Sequence, residues 1–166
     1  LSLVGSEMCI RDRKKEALEE ITAEIKKHAK QPIIMKLSPN VTDIGEMAKA
    51  AEAAGADAIS LINTLTGMKF ALANKTGGMS GPAIKPIAVR MVYQAAHAVN
   101  IPIIGMGGIL SGEDAIEFMM AGATAVSVGA ANFFDPYSTE KVIAGIEEYM
   151  TKYGVEDINE LIGAVI

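Results

Sequence analysis

Apolar residues along this chain come in two patterns: short unbroken runs, and longer stretches where they recur at helical spacing. An unbroken run reads as a strand buried on both faces, and the spaced pattern reads as a helix with one inward stripe. A helix is expected over residues 14–30, with Leu18, Ile21 and Ile25 on one face, followed by the strand Ile33-Ile-Met-Lys-Leu37. Ser38-Pro-Asn40 then turns the chain. Thr42 or Asp43 caps a helix that directs Met47, Ala50, Ala51 and Ala54 inward and stops at Gly55. The strand Ala58-Ile-Ser-Leu-Ile62 leads into a long polar loop carrying Gly67, Gly77, Gly78 and Gly81. Beyond it come a helix over 84–99, a strand over 101–105, a helix over 112–121 and a strand over 123–128. Helices over 138–152 and 155–162 close the series.

Four apolar strands, each separated from the next by a helix, form a parallel sheet covered by helices. Such a sheet is either a small open α/β layer or part of a closed barrel. Two similar stop signals, Ala54-Gly-Ala-Asp57 and Ala121-Gly-Ala-Thr124, run straight from helix into strand. Tight repeated connections of this kind favour barrel units. Residues 1–13 show neither stripe nor alternation and end abruptly where the first helix begins. They resemble translated sequencing-adapter sequence and are expected to be a non-native segment, leaving residues 14–166 as a partial barrel domain.

Composition narrows the partners more than the fold. A length of 166 residues, half of them hydrophobic and none tryptophan, suits one domain with small-residue helix-on-sheet packing. The net charge of −5 argues against nucleic acid or an anionic membrane as partner. Lys14, Lys15, Lys26, Lys27 and Lys30 do cluster, but Glu16, Glu19, Glu20 and Glu24 interleave with them as on a solvated helix face. No apolar run approaches the roughly 18 residues of a membrane span, and no usual signal peptide is present, so a cytoplasmic location is expected. The one cysteine, Cys9, lies within residues 1–13 and leaves no internal disulfide to form. No Cys/His cluster exists to bind zinc or an iron–sulfur centre, and no metal site is expected.

The chemistry is expected where the strands end. Ile101-Pro-Ile-Ile-Gly-Met-Gly-Gly-Ile109 and Ala125-Val-Ser-Val-Gly-Ala-Ala-Asn132 are both strands that run directly into small residues. Adjacent parallel strands opening into glycine turns bring bare backbone N–H groups to one end of a sheet, which holds a phosphate without side chains. That order of elements is the phosphate site of many (β/α)8 barrels. The same end collects Lys36, Ser38, Asn63, Thr64, Asn132 and the turns at Gly107, Gly108, Gly129 and Ala130. Lys36 sits in an otherwise apolar strand, where a charge either snorkels to solvent or faces a site. Asn63 and Thr64 either begin a turn or meet a ligand. The loop Thr76-Gly-Gly-Met-Ser-Gly-Pro-Ala-Ile-Lys85 implies mobility or close backbone approach. Neither glycine cluster has the spacing of a P-loop or a dinucleotide fingerprint. His28 and His97 sit in helices and read as surface or helix-packing residues rather than catalytic ones, and the ten methionines as core filler.

Taken together, Lys36-Leu-Ser-Pro-Asn40, Ile62-Asn-Thr64, Gly77-Gly-Met-Ser-Gly-Pro-Ala-Ile-Lys-Pro86, Gly105-Met-Gly-Gly108 and Val128-Gly-Ala-Ala-Asn-Phe133 resemble dihydroorotate dehydrogenase. The nearest resemblance is to class 1B catalytic subunits, over residues 14–166. It corresponds to the C-terminal half of that family's TIM (β/α)8 barrel, strands five to eight. The resemblance implies FMN as cofactor. Lys36 would contact the flavin's pyrimidine edge and Ile62 would lie against the ring. Asn63 and Thr64 would hydrogen-bond the dihydroorotate or orotate substrate. Gly81 would let its loop approach the cofactor, and Gly107, Gly108, Gly129 and Ala130 would offer N–H groups to the phosphate. Ala130 stands where the family usually has threonine, and several residues are missing between Phe70 and Ala71.

In that family a base removes the C5 proton of dihydroorotate while hydride passes from C6 to the flavin, in de novo pyrimidine (UMP) biosynthesis. The base is a cysteine of the N-terminal half, which nothing here matches, so no catalytic residue is assigned. The resemblance further implies an electron-transfer subunit carrying FAD and an iron–sulfur cluster, NAD as final acceptor, and a homo-oligomer when intact. Two other readings compete: the flavin domain of dihydropyrimidine dehydrogenase, and a phosphate-binding barrel without flavin. Half a barrel alone is expected to be inactive and to self-associate through its open edges.

Overall fold

Each strand of the main sheet is followed by a helix that folds back over it. The computed structural model describes residues 14–69 and 75–165. The readings made for residues 1–13, for Cys9 and for the Phe70–Ala71 junction lie outside the described residues. The first helix, α1 (Lys15–His28), precedes β1 (Ile34–Leu37), and α2 (Ile44–Ala53) separates β1 from β2 (Ala58–Leu61). A hairpin of β3 (Leu65–Met68) and β4 (Thr76–Met79) follows, and then α3 (Lys85–Ala96). The series continues through β5 (Ile103–Met106), α4 (Gly112–Met120), β6 (Ala125–Ser127) and α5 (Ser138–Tyr153). The main sheet has the order β1-β2-β5-β6, all parallel, and is the expected row of four strands of half a (β/α)8 barrel.

The register aligns a buried row across three strands. Leu37 pairs with Leu61, which pairs with Gly105, and all three are buried. Gly105 lacks a Cβ where one would lie 2.6 Å from the ring of Phe118, so glycine lets α4 settle directly onto β5. Phe118, Ile59, Val92, Ala88 and Ala95 are fully enclosed in this layer. Burying each large member is worth roughly 1.5–3 kcal/mol, so the helix-facing side of the sheet carries most of the fold's cohesion. Helices α4 and α5 meet at Gly112 and Gly145, where a Cβ on Gly112 would fall 2.2 Å from the Gly145 carbonyl carbon.

Caps and stops fall where the chain chemistry asks for them. Asp43, not Thr42, caps α2 by accepting from the Gly45 and Glu46 N–H groups at 2.8 and 3.1 Å. Both tight helix-to-strand signals hold, with Gly55 at φ +95° and Gly122 at φ +108°. The basic cluster of α1 is a solvated face: Lys27 and His28 pair with Glu24, and Lys26 grips Asp57 at 2.6 Å.

Three expectations need correction. The long polar loop is in part the antiparallel hairpin β3–β4, in which Gly67 pairs with Gly77. Glycine has low strand propensity and no side chain to alternate, so the pattern concealed it. The expected helix over 155–162 is only a 3-10 turn at Ile158–Leu161, capped by Asp157. In α1 the inward positions are Leu18 and Thr22, while Ile21 and Ile25 remain 38% and 44% exposed. Thr22 is tolerated there because its hydroxyl donates to the Leu18 carbonyl at 2.7 Å. Among the described residues no helix is long and apolar enough to cross a membrane.

Candidate functional site

At the carboxyl ends of β1, β2, β5 and β6 lies a cleft of about 230 Å³. Every residue assigned from the resemblance lines it: Lys36, Ile62, Asn63 and Thr64 on one side, and the turns at Gly81, Gly107, Gly108, Gly129 and Ala130 on the other. Ser80, Ile84, Met106 and Ser127, which sequence reading passed over, complete the wall. Ser127 and Met106 pair in register at the strand ends, so strand continuity was the signal that could have found them.

The centre of the cleft is fixed by the sheet itself. The ladder runs past the end of β2, with Ile62 N–H donating to Met106 O and Asn63 N–H to Leu37 O, both at 3.0 Å. The peptide bond between Leu61 and Ile62 is cis. Ile62 is buried, and Asn63 is half-buried between the ends of β1 and β5. The Asn63 side-chain oxygen accepts the Thr64 N–H at 2.8 Å, which fixes the amide's orientation, and its NH2 carries two further donors. Lys36 is exposed at the end of β1 and, among the described residues, forms no ion pair. Its position serves both readings of the sequence: it reaches solvent through the cleft mouth.

The glycine turns form the other wall. Gly81, Gly107 and Gly108 have φ of +86°, +127° and +85°, a region that side chains with a Cβ rarely adopt. A Cβ on Gly107 would press on Ala88 and Ile84, and one on Gly108 would lie 2.7 Å from the Gly81 carbonyl oxygen. The two turns therefore pack backbone against backbone. At Gly81 and at Gly129, by contrast, an added Cβ would meet nothing within 4 Å.

Two supporting clusters escaped the sequence. Asn40 accepts the Thr66 N–H at 2.8 Å and donates to the Thr64 carbonyl at 3.0 Å, tying the β3–β4 hairpin to the turn after β1. Asp114 in α4 accepts from the Leu110 and Ser111 N–H groups and from Lys85 Nζ at 2.9, 3.0 and 2.7 Å. The Ser111-x-x-Asp114 spacing of a capping box was the legible signal for half of that cluster. Burial pushes the Asp114 carboxyl up, but the hydrogen bonds from Lys85 and the two backbone amides outweigh it and hold the group below the usual aspartate range. The same contacts, Asp114 first and Glu117 second, raise the Lys85 ammonium above its ordinary value.

Two residues expected at the mouth are used elsewhere. Ser38 is buried, and its hydroxyl oxygen accepts from Asn40. Asn132 braces its own turn, donating to the Val128 carbonyl at 3.0 Å. The histidines are as read: His97 caps α3 against the Tyr93 carbonyl, and His28 is exposed.

Comparison with known proteins places this architecture. The family model of dihydroorotate dehydrogenase matches residues 10–150. The chain is 72% identical over 152 residues to the dihydroorotate dehydrogenase B (NAD(+)) catalytic subunit of Lachnoclostridium phytofermentans, covering 87% of this chain and 51% of that protein. It is 64% identical over 153 residues to the protein of the same name from Alkaliphilus oremlandii, covering 88% and 51%. The chain thus spans about half the length of the curated relatives it matches. The crystal structure of a dihydroorotate dehydrogenase from Eimeria tenella, in complex with ferulenol, superposes with a TM-score of 0.79 at 24% identity, over 92% of this chain and 49% of that one. That likeness carries the fold, and the sequence matches carry the lineage: the chain belongs to the dihydroorotate dehydrogenase family.

Proposed function

We propose that this chain is the C-terminal half of the catalytic subunit of an NAD-linked dihydroorotate dehydrogenase and that its cleft holds FMN and the pyrimidine substrate. The convergence of nine assigned residues on one cleft is the observation that supports this reading. The residues fit the group. Gly81 and Gly129 leave open space where a Cβ would stand, and the turns beside them are held in conformations that present backbone rather than side chain. A phosphate dianion takes N–H donors in such a cradle. Gly107, Gly108, Gly129 and Ala130 would hold it, Gly81 would line its approach, Ile62 would lie against the flavin and Lys36 would face its pyrimidine edge.

FMN, when bound, supplies a two-electron acceptor for hydride. The chain's own residues bind and orient. Lys36 would supply a cation to the part of a bound flavin that gains negative charge when it accepts hydride. Asn63, its amide oriented by the Thr64 N–H, offers its NH2 to a carbonyl or carboxylate oxygen of dihydroorotate or orotate, and Thr64 adds a hydroxyl beside it. Residues 14–166 contain no cysteine to remove the C5 proton. The chain is therefore a binding and orienting half, and turnover needs the base-bearing half. The intact protein would be a homo-oligomer in the cytoplasm, served by an electron-transfer subunit carrying FAD and an iron–sulfur cluster.

Fusion to the N-terminal half of the Lachnoclostridium phytofermentans relative provides the test. The fused protein is expected to be yellow and to bind orotate, read as a change in the flavin spectrum. A colourless product would refute the flavin, and tight uracil binding without orotate affinity would move the chain to the dihydropyrimidine reading. The 166-residue chain alone is expected to show no dihydroorotate oxidation, and robust turnover would overturn the assignment of the base to the other half.

A further inference from the structure

We propose that Lys85 is a positioning residue for the phosphate end of the cleft, clamping the Gly81 turn to the Gly107–Gly108 turn and masking the carboxylates of α4 from a bound dianion. This rests on the reading of the cleft as a phosphate site. Lys85 opens α3, directly after the 3-10 turn that Gly81 starts, so its backbone belongs to one wall turn. Its side chain reaches into the other. The position where Gly108 would carry a Cβ is 2.9 Å from Lys85 Cβ and 3.1 Å from Lys85 N, so the lysine stem lies against the bare Gly108 backbone. Beyond that contact its ammonium meets Asp114 at 2.7 Å and Glu117 at 2.6 Å. Asp114 in turn holds the far end of the same turn through the Leu110 and Ser111 amides. One side chain thus joins the turn before α3, the turn after β5 and the first helical turn of α4.

The electrostatic consequence bears on an anion. Glu113 and Asp114 stand in the first turn of α4, and Glu117 follows one turn later. The Lys85 and Asp114 side chains are only 27% and 18% exposed, so solvent screens them weakly. Without the lysine, Asp114, held by the Leu110 and Ser111 amides next to the Gly107–Gly108 turn, and Glu117 would both lose their cation, and their charge would oppose a phosphate dianion at that turn.

The test compares FMN with riboflavin, which lacks the phosphate, by flavin fluorescence titration of the fused protein described above, stripped of flavin, and of its variants. The wild-type fusion is expected to prefer FMN. Lys85→Met should cut that preference by about tenfold or more, and Lys85→Arg should restore most of it. A merely structural lysine would weaken both ligands together and leave their ratio alone. Lys85→Met retaining the wild-type ratio overturns the clamp while leaving the cleft reading intact. A wild-type fusion with no preference for FMN overturns the phosphate reading, and the clamp falls with it.

Discussion

The two ends of the cleft are built in opposite ways. At the glycine end, the Gly81 and Gly107–Gly108 turns pack backbone on backbone, and Lys85 and Asp114 tie them to two helices. At the Asn63 end, Thr64 and Lys36 are exposed, and a glycine-bearing hairpin packs against Thr64. Gly78 approaches Thr64 so closely that a Cβ would lie 2.5 Å from the hydroxyl oxygen. The first end is rigid before any ligand arrives. The second presents exposed side chains beneath a hairpin tied to the turn after β1 by Asn40. A site that must hold a fixed anion and also admit and release a substrate is served by this division.

The sharpest way to break the contrast is to put a methyl group into the rigid end. Gly108→Ala must adopt φ near +85° and would meet the Gly81 carbonyl at 2.7 Å, a backbone atom that cannot swing aside. The expected cost is about 2–4 kcal/mol of stability with loss of FMN binding. Urea unfolding and flavin titration measure both, and a variant with native stability and affinity would show that the turn is not preformed.

A smaller effect follows from pH at the same end. The folded state holds Asp114 below the usual aspartate range, so the unfolded state binds more protons as the solution is acidified. Its contribution is full above the ordinary aspartate range and is lost as pH falls through the depressed folded value. Because Lys85 supplies much of the depression, Lys85→Met should unfold with a shallower acid dependence than wild type. Parallel unfolding curves from neutral to acid pH would contradict that role.

Asn40→Ala tests the adaptable end. It removes one bond to the Thr64 carbonyl and one from the Thr66 amide, worth together about 1–2 kcal/mol and confined to the hairpin. Amide exchange should rise in β3 and β4 and stay unchanged at Gly107–Ser111. Equal loosening of both ends would erase the distinction between them.

The same division explains what could be read from sequence. The row of four parallel strands was legible, because apolar runs broken by Gly-Ala stops mark buried parallel strands, whereas the roles given to the site residues came from the family resemblance. Position at a strand's carboxyl end then brings Lys36, Asn63 and Gly108 together. What stayed hidden depends on partners distant along the chain. The Lys85–Asp114 pair joins positions 29 residues apart. Asn40 reaches a hairpin 26 residues on, whose glycines carry no alternating pattern. Thr22 is buried where two isoleucines were expected, because a hydroxyl satisfied within its own helix is indifferent to water.

Gly129→Ala should have the smallest effect on folding and is the finest probe of the cradle. Its backbone lies at φ −113°, outside the region reserved for glycine, and a Cβ there would meet no protein atom within 4 Å. Stability should therefore change by no more than about 0.5 kcal/mol. The methyl group would nevertheless stand in the open space assigned to the phosphate. FMN affinity should fall while riboflavin affinity holds, which separates occupancy of the cradle from integrity of the fold. If both flavins bind as before, the phosphate does not pass this glycine, and its place must be sought nearer Gly107 and Gly108.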